Sequence, residues 1–353
     1  MPRKIRVLIV DDSALVRNIL QSALSQAPHI DVVATAPDPF IARDLIVQKK
    51  PDVITLDVEM PRMDGIEFLT RIMKHMPTPV IIVSSLSKRG SQITLDALDY
   101  GAVDFVTKPD ANVDRALKSM MMELVQKVTH AARVDVSAWK NHTVNKTRRS
   151  APALPKALSV TTDKVIAIGA STGGTVALKN LLYEMPVNSP GIVVVQHMPV
   201  SFTQLFAERL NKGTGLHIQE AKHGDKVSQG KVLIAPGGTK HMSIRRVGGF
   251  YQIDLIEAPK VNGHCPSVDV LFNSVAEYCG KNAIGCILTG MGNDGAKGLL
   301  KMKNAGAQTV GQDEKSSVVY GMPKAAFEIG AVDQQLPLKD IPAKLVKLLA
   351  KGA

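Results

Sequence analysis

Val53-Ile54-Thr55-Leu56-Asp57 is an apolar run that ends on a carboxylate, with helix-spaced segments on either side, Pro39–Lys49 before it and Gly65–His75 after it. A short apolar run between two helices is the pattern of a buried strand in a parallel sheet. The alternation extends in both directions. Strands are predicted at Ile5–Val10, Asp31–Ala34, Val80–Ser84 and Asp104–Thr107, and helices at Ala14–Ala27, Thr94–Tyr100 and Asp114–Ala131. Strands alternating with helices imply a doubly wound α/β domain whose sheet is covered on both faces.

Sites in such sheets gather beyond the carboxyl ends of the strands. The polar residues fall there. Asp11 and Asp12 follow the first strand, Asp57 ends the third, Ser84 ends the fourth, and Lys108-Pro109 follows the fifth. Carboxylates brought together repel one another and need a compensating cation. Oxygen ligands with few protein donors suit Mg²⁺, which keeps waters and recruits phosphate oxygens. A carboxylate can itself accept a phosphoryl group as an acyl phosphate.

Taken together, Asp11-Asp12, the run Asp57-Val58-Glu59-Met60-Pro61 with Asp64-Gly65, Ser84 and Lys108-Pro109 resemble the receiver domain of two-component response regulators. The resemblance covers roughly residues 4–125. It implies a flavodoxin-like fold with Asp57 as the phosphoacceptor and Mg²⁺ held by Asp11, Asp12, Asp57 and the backbone of Val58. Ser84 and Lys108 would contact the phosphoryl group, and Phe105 would be the aromatic that reports the state of the site.

Past residue 130 the pattern lapses. Ala132–Pro155 is polar and basic, a linker composition that contains the lone Trp139. A second βα series then begins. Its strands are predicted at Val165–Gly169, Ile192–Gln196, Lys231–Ala235, Ile284–Leu288 and Gln308–Gly311. Its helices are predicted at Thr175–Tyr183, Phe202–Lys212, Ser267–Cys279, Gly295–Ala305 and Pro323–Ile329. His241–Ile256 reads as a hairpin turning at Gly248-Gly249. The expected architecture is two doubly wound parallel-sheet domains, a receiver at 1–128 and a Rossmann-like α/β/α domain at 163–353 with an antiparallel hairpin, joined by a basic linker at 129–162.

Gly169-Ala170-Ser171-Thr172-Gly173-Gly174 lies between a strand and a helix and admits two readings. One is a phosphate-cradling turn at a helix N-terminus. The carboxylate that a dinucleotide site wants about twenty residues later is missing. The other is a nucleophile elbow of the G-x-S-x-G form, presenting Ser171. A hydroxyl nucleophile needs a base. His197 follows the next parallel strand, at the same sheet edge. Asp294, in Thr289-Gly290-Met291-Gly292-Asn293-Asp294-Gly295, follows another strand and would orient it. The order Ser…His…Asp differs from that of α/β-hydrolases, but triads are recognised by geometry.

With the receiver, these segments and Gln196-His197-Met198-Pro199 resemble the CheB family of chemotaxis response-regulator protein-glutamate methylesterases over nearly the whole chain. Phe202 to Leu210, Ala235-Pro236-Gly237-Gly238 and Pro266 to Phe272 agree as well. The family usually has His-Arg-Pro-Ser where this chain has His264-Cys265-Pro266-Ser267, so no cation is available at 265. The resemblance implies hydrolysis of glutamate γ-methyl esters, and in some members deamidation of glutamine, on chemoreceptor cytoplasmic helices. Ser171 would be the nucleophile, His197 its base and Asp294 the orienting acid. The Met291 N–H would serve as oxyanion donor, with Thr172 assisting. No cofactor is expected for the ester chemistry. A chemotaxis histidine kinase would be the phosphodonor, and an unphosphorylated receiver would cover the cleft.

The composition is compatible with this reading. The 353 residues suffice for two cores, and 45% hydrophobic with 21% charged residues fits a soluble globular chain. No apolar run is long enough to span a bilayer, and no secretory signal precedes Ile5, so a cytoplasmic protein without membrane insertion is expected. Three cysteines argue against a disulfide framework. The net charge of +11 invites a nucleic-acid reading, but aromatics are only 4% and no DNA- or RNA-reading motif is present. The chain is expected to act as a monomer without nucleic acid.

Overall fold

The computed structural model describes residues 3–60, 65–108, 114–137 and 163–350. Pro61, Asp64, Pro109, Trp139 and most of the expected linker lie outside the described residues. The chain divides into two compact units, Met1–Asn145 and Lys146–Ala353.

The first unit is a five-stranded parallel sheet in the order β2-β1-β3-β4-β5. The strands are β1 Ile5–Val10, β2 Ile30–Ala36, β3 Val53–Asp57, β4 Val80–Ser84 and β5 Asp104–Thr107. Every residue of β3 and β4 is buried, as expected of strands covered on both faces. The helices are α1 Ala14–Ser25, α2 Pro39–Lys49, α3 Gly65–His75, α4 Lys88–Asp99 and α5 Asp114–Ala131. Their starts are written in the sequence. Asp38 caps α2 by accepting from the Phe40 and Ile41 N–H groups, with Pro39 in the first turn.

Two differences from the sequence reading have local causes. Helix α4 starts at Lys88, six residues before the predicted Thr94. Its polar first turn hides the apolar period, but Ser87 caps it through the Gly90 N–H at 2.9 Å. Helix α5 runs to Ala131, past the predicted receiver edge at 128, because Val128 and Ala131 are both fully buried.

The second unit is a seven-stranded parallel sheet in the order β15-β14-β13-β6-β7-β10-β8. Its central strands are β6 Val165–Ala170, β7 Gly191–Gln196 and β13 Ala283–Ile287. The flanking strands are β8 His217–Glu220, β10 Lys231–Ile234, β14 Gln308–Gln312 and β15 Gln334–Leu336. The helices are α6 Gly174–Tyr183, α7 Val200–Gly213, α8 Val268–Cys279, α9 Ala296–Asn304, α10 Met322–Glu328 and α11 Ile341–Ala350. The predicted hairpin is β11 Lys240–Val247 against β12 Phe250–Glu257, turning at Gly248-Gly249, with β9 Lys226–Val227 added to its far side. The edge strands β8 and β15 were not predicted. Three or four residues are too few to show a period.

In both sheets the order in which the chain adds strands reverses near the middle, and the crevice at such a reversal is where ligands bind. In the first sheet β1 and β3 flank the reversal, which puts Asp11 beside Asp57. In the second, β6 is followed in the chain by β7 on one side, while β13 lies on the other. Ser171 follows β6, His197 follows β7, and Asp294 lies in the loop after β13.

Candidate functional site

Ser171 is held by backbone at the mouth of the second sheet. Its N–H donates to the Thr289 carbonyl at 3.0 Å. Its carbonyl accepts from the Gly174 N–H at 2.7 Å and from Gln196 Nε2 at 3.0 Å. The turn depends on small residues. Gly173 has φ +76°, the left-handed region that favours glycine. A Cβ on Gly174 would lie 2.1 Å from Gln196 Oε1, and one on Gly290 would lie 2.8 Å from the Ser171 Cβ. The glycines of both predicted turns therefore let three strand ends crowd around one serine.

His197 is tied to this turn by its own N–H, which donates to the Ala170 carbonyl at 3.2 Å. Its Nε2 lies 2.9 Å from Asp294 Oδ2. An ionised carboxylate only accepts, so the proton belongs on Nε2 and the lone pair on Nδ1. That Nδ1 is buried and has no hydrogen-bond partner. The structure thus pairs His197 directly with Asp294 and brings Ser171 to the same edge through backbone; no Ser171–His197 hydrogen bond is present among the described residues. Such bonds often tighten only when substrate binds.

Asp294 is 1% exposed and fully satisfied. Oδ2 accepts from His197 and from the Val268 N–H at 2.7 Å. Oδ1 accepts from Asn262 Nδ2 at 2.8 Å, Ser267 Oγ at 2.7 Å and the Asp269 N–H at 3.3 Å. Burial alone would raise this carboxyl, but His197, Asn262 and Ser267 together hold it well below the usual carboxylate range. It is an anion at every working pH. Met291 follows Gly290, whose carbonyl accepts from the Gly321 and Met322 N–H groups. Thr172 is buried, and its carbonyl accepts from Thr289 Oγ1 at 2.9 Å. Both residues are anchored next to Ser171 by the Thr289-Gly290 pair.

In the first unit, Asp11, Asp12 and Asp57 bring one carboxylate oxygen each within 4.8 Å of one another. Lys108 Nζ donates to Asp57 Oδ2 at 2.6 Å and lies 2.9 Å from Asp11 Oδ2. Lys108 is thus shared by the two carboxylates, and the other oxygen of Asp11, Oδ1, accepts from the Ser13 N–H at 2.9 Å. Asp57 Oδ1 accepts from the Glu59 N–H at 2.9 Å. Burial raises the Asp11 carboxyl above its ordinary value against the pull of Lys108. Burial alone would lower Lys108, but its bond to Asp57 and the two carboxylate charges carry it upward. One lysine shared between two buried carboxylates leaves net negative charge in an all-oxygen set, which fits a hard divalent cation. Ser84 is fully buried, with its hydroxyl 3.3 Å from the Ser85 and Gly90 carbonyls. Phe105 is 5% exposed, under Lys127 Nζ at 5.2 Å from the ring centroid.

Residues 166–345 match the CheB methylesterase family and residues 7–121 match the response regulator receiver domain. The protein-glutamate methylesterase/protein-glutamine glutaminase of Syntrophotalea carbinolica is 54% identical over 99% of both chains. That of Sulfurimonas denitrificans is 55% identical over 98% of this chain and 99% of its own. The chain belongs to the CheB methylesterase family. The crystal structure of the Thermotoga maritima CheB methylesterase catalytic domain, 41% identical, superposes on 52% of this chain and 98% of its own with a TM-score of 0.51.

Several residues around Asp294 and His197 carry no assignment from the sequence. Asn262 and Ser267 supply two side-chain donors to Asp294. His264 stacks on His197, with ring centroids 3.7 Å apart and planes 10° apart. Asp269 sits behind Asn262. Asn262, His264 and Ser267 belong to the segment between β12 and α8, and Asp269 to the first turn of α8; neither place is a strand end that would flag it. The available signal was Asn262-Gly263, a strong turn dipeptide. Among the described residues, no helix is long and apolar enough to cross a membrane.

Proposed function

We propose that the chain hydrolyses glutamate γ-methyl esters on the cytoplasmic helices of chemoreceptors, by a Ser171–His197–Asp294 mechanism that phosphorylation of Asp57 accelerates. The observation that carries this reading is the buried His197, bonded to a permanently ionised Asp294 through Nε2 and left with an unpartnered Nδ1 at the edge where Ser171 lies.

Ser171 Oγ attacks the ester carbonyl carbon while His197 Nδ1 takes its proton. Asp294 fixes the tautomer and stabilises the imidazolium. The oxyanion accepts from the Met291 N–H, with Thr172 near the nucleophile. Collapse expels methanol, which leaves with the proton held by His197. Water then attacks the acyl-enzyme with His197 again as base, releasing the glutamate carboxylate and restoring Ser171. Deamidation of glutamine follows the same course with ammonia as the leaving group. The glycine turns leave room for a receptor helix to approach the backbone.

In the receiver, Asp57 accepts the phosphoryl group from a chemotaxis histidine kinase. Asp11, Asp12, Asp57 and the Val58 carbonyl would hold Mg²⁺, which when bound supplies positive charge to the transferring group. Lys108 adds a second cation, Ser84 is within the same strand-end cluster, and Phe105 follows the state of the site. The test is methanol release from methylated receptor. Ser171→Ala should remove nearly all turnover, on the order of 10³-fold or more for loss of a nucleophile. A near-normal rate would contradict the reading.

A further inference from the structure

We infer that Asn262 is a positioning residue for the His197–Asp294 pair, anchored by Asp269 as a second buried carboxylate; this rests on the esterase reading of that pair. Val261 and His264 exchange two backbone hydrogen bonds, at 3.0 and 2.9 Å, and close a two-residue turn over Asn262-Gly263. Both turn residues have positive φ, +52° and +82°. This is the backbone that Asn-Gly adopts with least strain. The turn reaches both partners of the pair. Its fourth residue lays the His264 ring flat on His197. Its second sends Asn262 Nδ2 to Asp294 Oδ1 at 2.8 Å and to Asp269 Oδ2 at 2.7 Å.

An amide nitrogen carries two hydrogens, one for each carboxylate. Asp269 is 5% exposed, and its other oxygen accepts from the Gly298 N–H at 2.6 Å, just inside α9. Two buried carboxylates this close need a shared donor between them, since unpaired buried charge is costly. Asn262 is that donor. With Ser267 Oγ and the Asp269 N–H it fixes Oδ1 of Asp294, and so contributes to the plane of the carboxylate and the direction of Oδ2 toward His197. The titratable side chains around this point are His197, His264, Asp269 and His241, whose Nδ1 accepts from the Ser267 N–H at 3.1 Å.

Asn262→Gly tests this in the full chain, because glycine keeps the left-handed turn and deletes only the amide. The expected result is a roughly 10- to 100-fold fall in kcat, the range for one lost hydrogen bond to a charged acceptor. KM should stay within about twofold, as for a group that does not touch substrate. With one donor fewer, Asp294 holds the imidazolium more strongly, so the acid limb of the rate profile moves to higher pH. In ¹⁵N-histidine-labelled protein the His197 ring N–H resonance should move as well. Asp269→Asn, which loosens the anchor and leaves the turn intact, should give the same signature more weakly. Wild-type kcat, profile and resonance in Asn262→Gly would overturn the proposal. So would a loss of activity that only tracks a lower thermal midpoint while the resonance stays put. If wild-type protein releases no methanol, the esterase reading fails by itself, and the ring resonance still decides whether Asn262 positions the pair.

Discussion

The two units place carboxylates at equivalent points of two doubly wound sheets, yet treat them oppositely. Asp294 is surrounded by five donors and held well below the usual carboxylate range. Asp11 is equally buried but has only the Ser13 N–H and a lysine it shares with Asp57, and its carboxyl is raised. Asp57 has one backbone donor and one lysine. A saturated carboxylate is a fixed anion suited to orienting a histidine. Undersatisfied carboxylates are open to a cation and to a phosphoryl group. Donor count at the strand end therefore separates a positioning carboxylate from reacting ones, where burial and residue type do not.

The largest effect that could break this contrast is at Asp294. Asp294→Asn keeps the shape but removes the charge that stabilises an imidazolium, and turns an NH₂ toward groups that are themselves donors. Turnover of methyl ester should fall by roughly 10³–10⁴-fold. The full set of donors cannot then be satisfied, and each buried orphan costs about 1–3 kcal/mol, so the thermal midpoint of the second unit should drop as well. Retention of more than a tenth of wild-type turnover would mean that the saturated carboxylate is only structural.

A smaller effect follows from the opposite pKa shifts. Asp294 is depressed, so its contribution to stability is present above the ordinary aspartate value of 3.8 and is lost as pH falls below it. Asp11 is raised, so its burial costs stability near neutrality, and that cost is relieved as pH falls through its raised value. Hydrogen exchange between pH 6 and 3 should show the amides of β6, β7 and β13 losing more protection than those of β1 and β3. Equal loss would show that the two carboxylates do not differ in the way their donors imply.

Much of the contrast was legible in the sequence, and the reasons are physical. Short, mostly apolar runs such as Val53–Asp57 and Val165–Gly169, set between helical patterns, read as strands buried on both faces. Their parallel direction then sends Asp57, Ser171 and His197 to the same kind of edge. Glycines around Ser171 and Gly290 are signals of close approach, and the Cβ clashes bear out that need. The support for Asp294 was not legible. Asn262 comes from a loop with no period of its own, and Ser267 and Asp269 from the very start of a helix, away from any strand end. The role of Asn262 depends on a turn at Asn262-Gly263 whose side-chain direction no pattern encodes. Helix α4 was half-hidden for a similar reason, since a capping serine can start a helix before any apolar residue appears.

Phosphorylation at the donor-poor pocket is expected to control chemistry at the donor-rich one. The direct measurement is methanol release from methylated receptor by the full chain in Mg²⁺, with and without a small-molecule phosphodonor, for wild type and Asp57→Asn. The phosphodonor should raise wild-type turnover at least severalfold, and Asp57→Asn should abolish the increase. Equal wild-type rates with and without phosphodonor, with Asp57 shown to be phosphorylated, would contradict it.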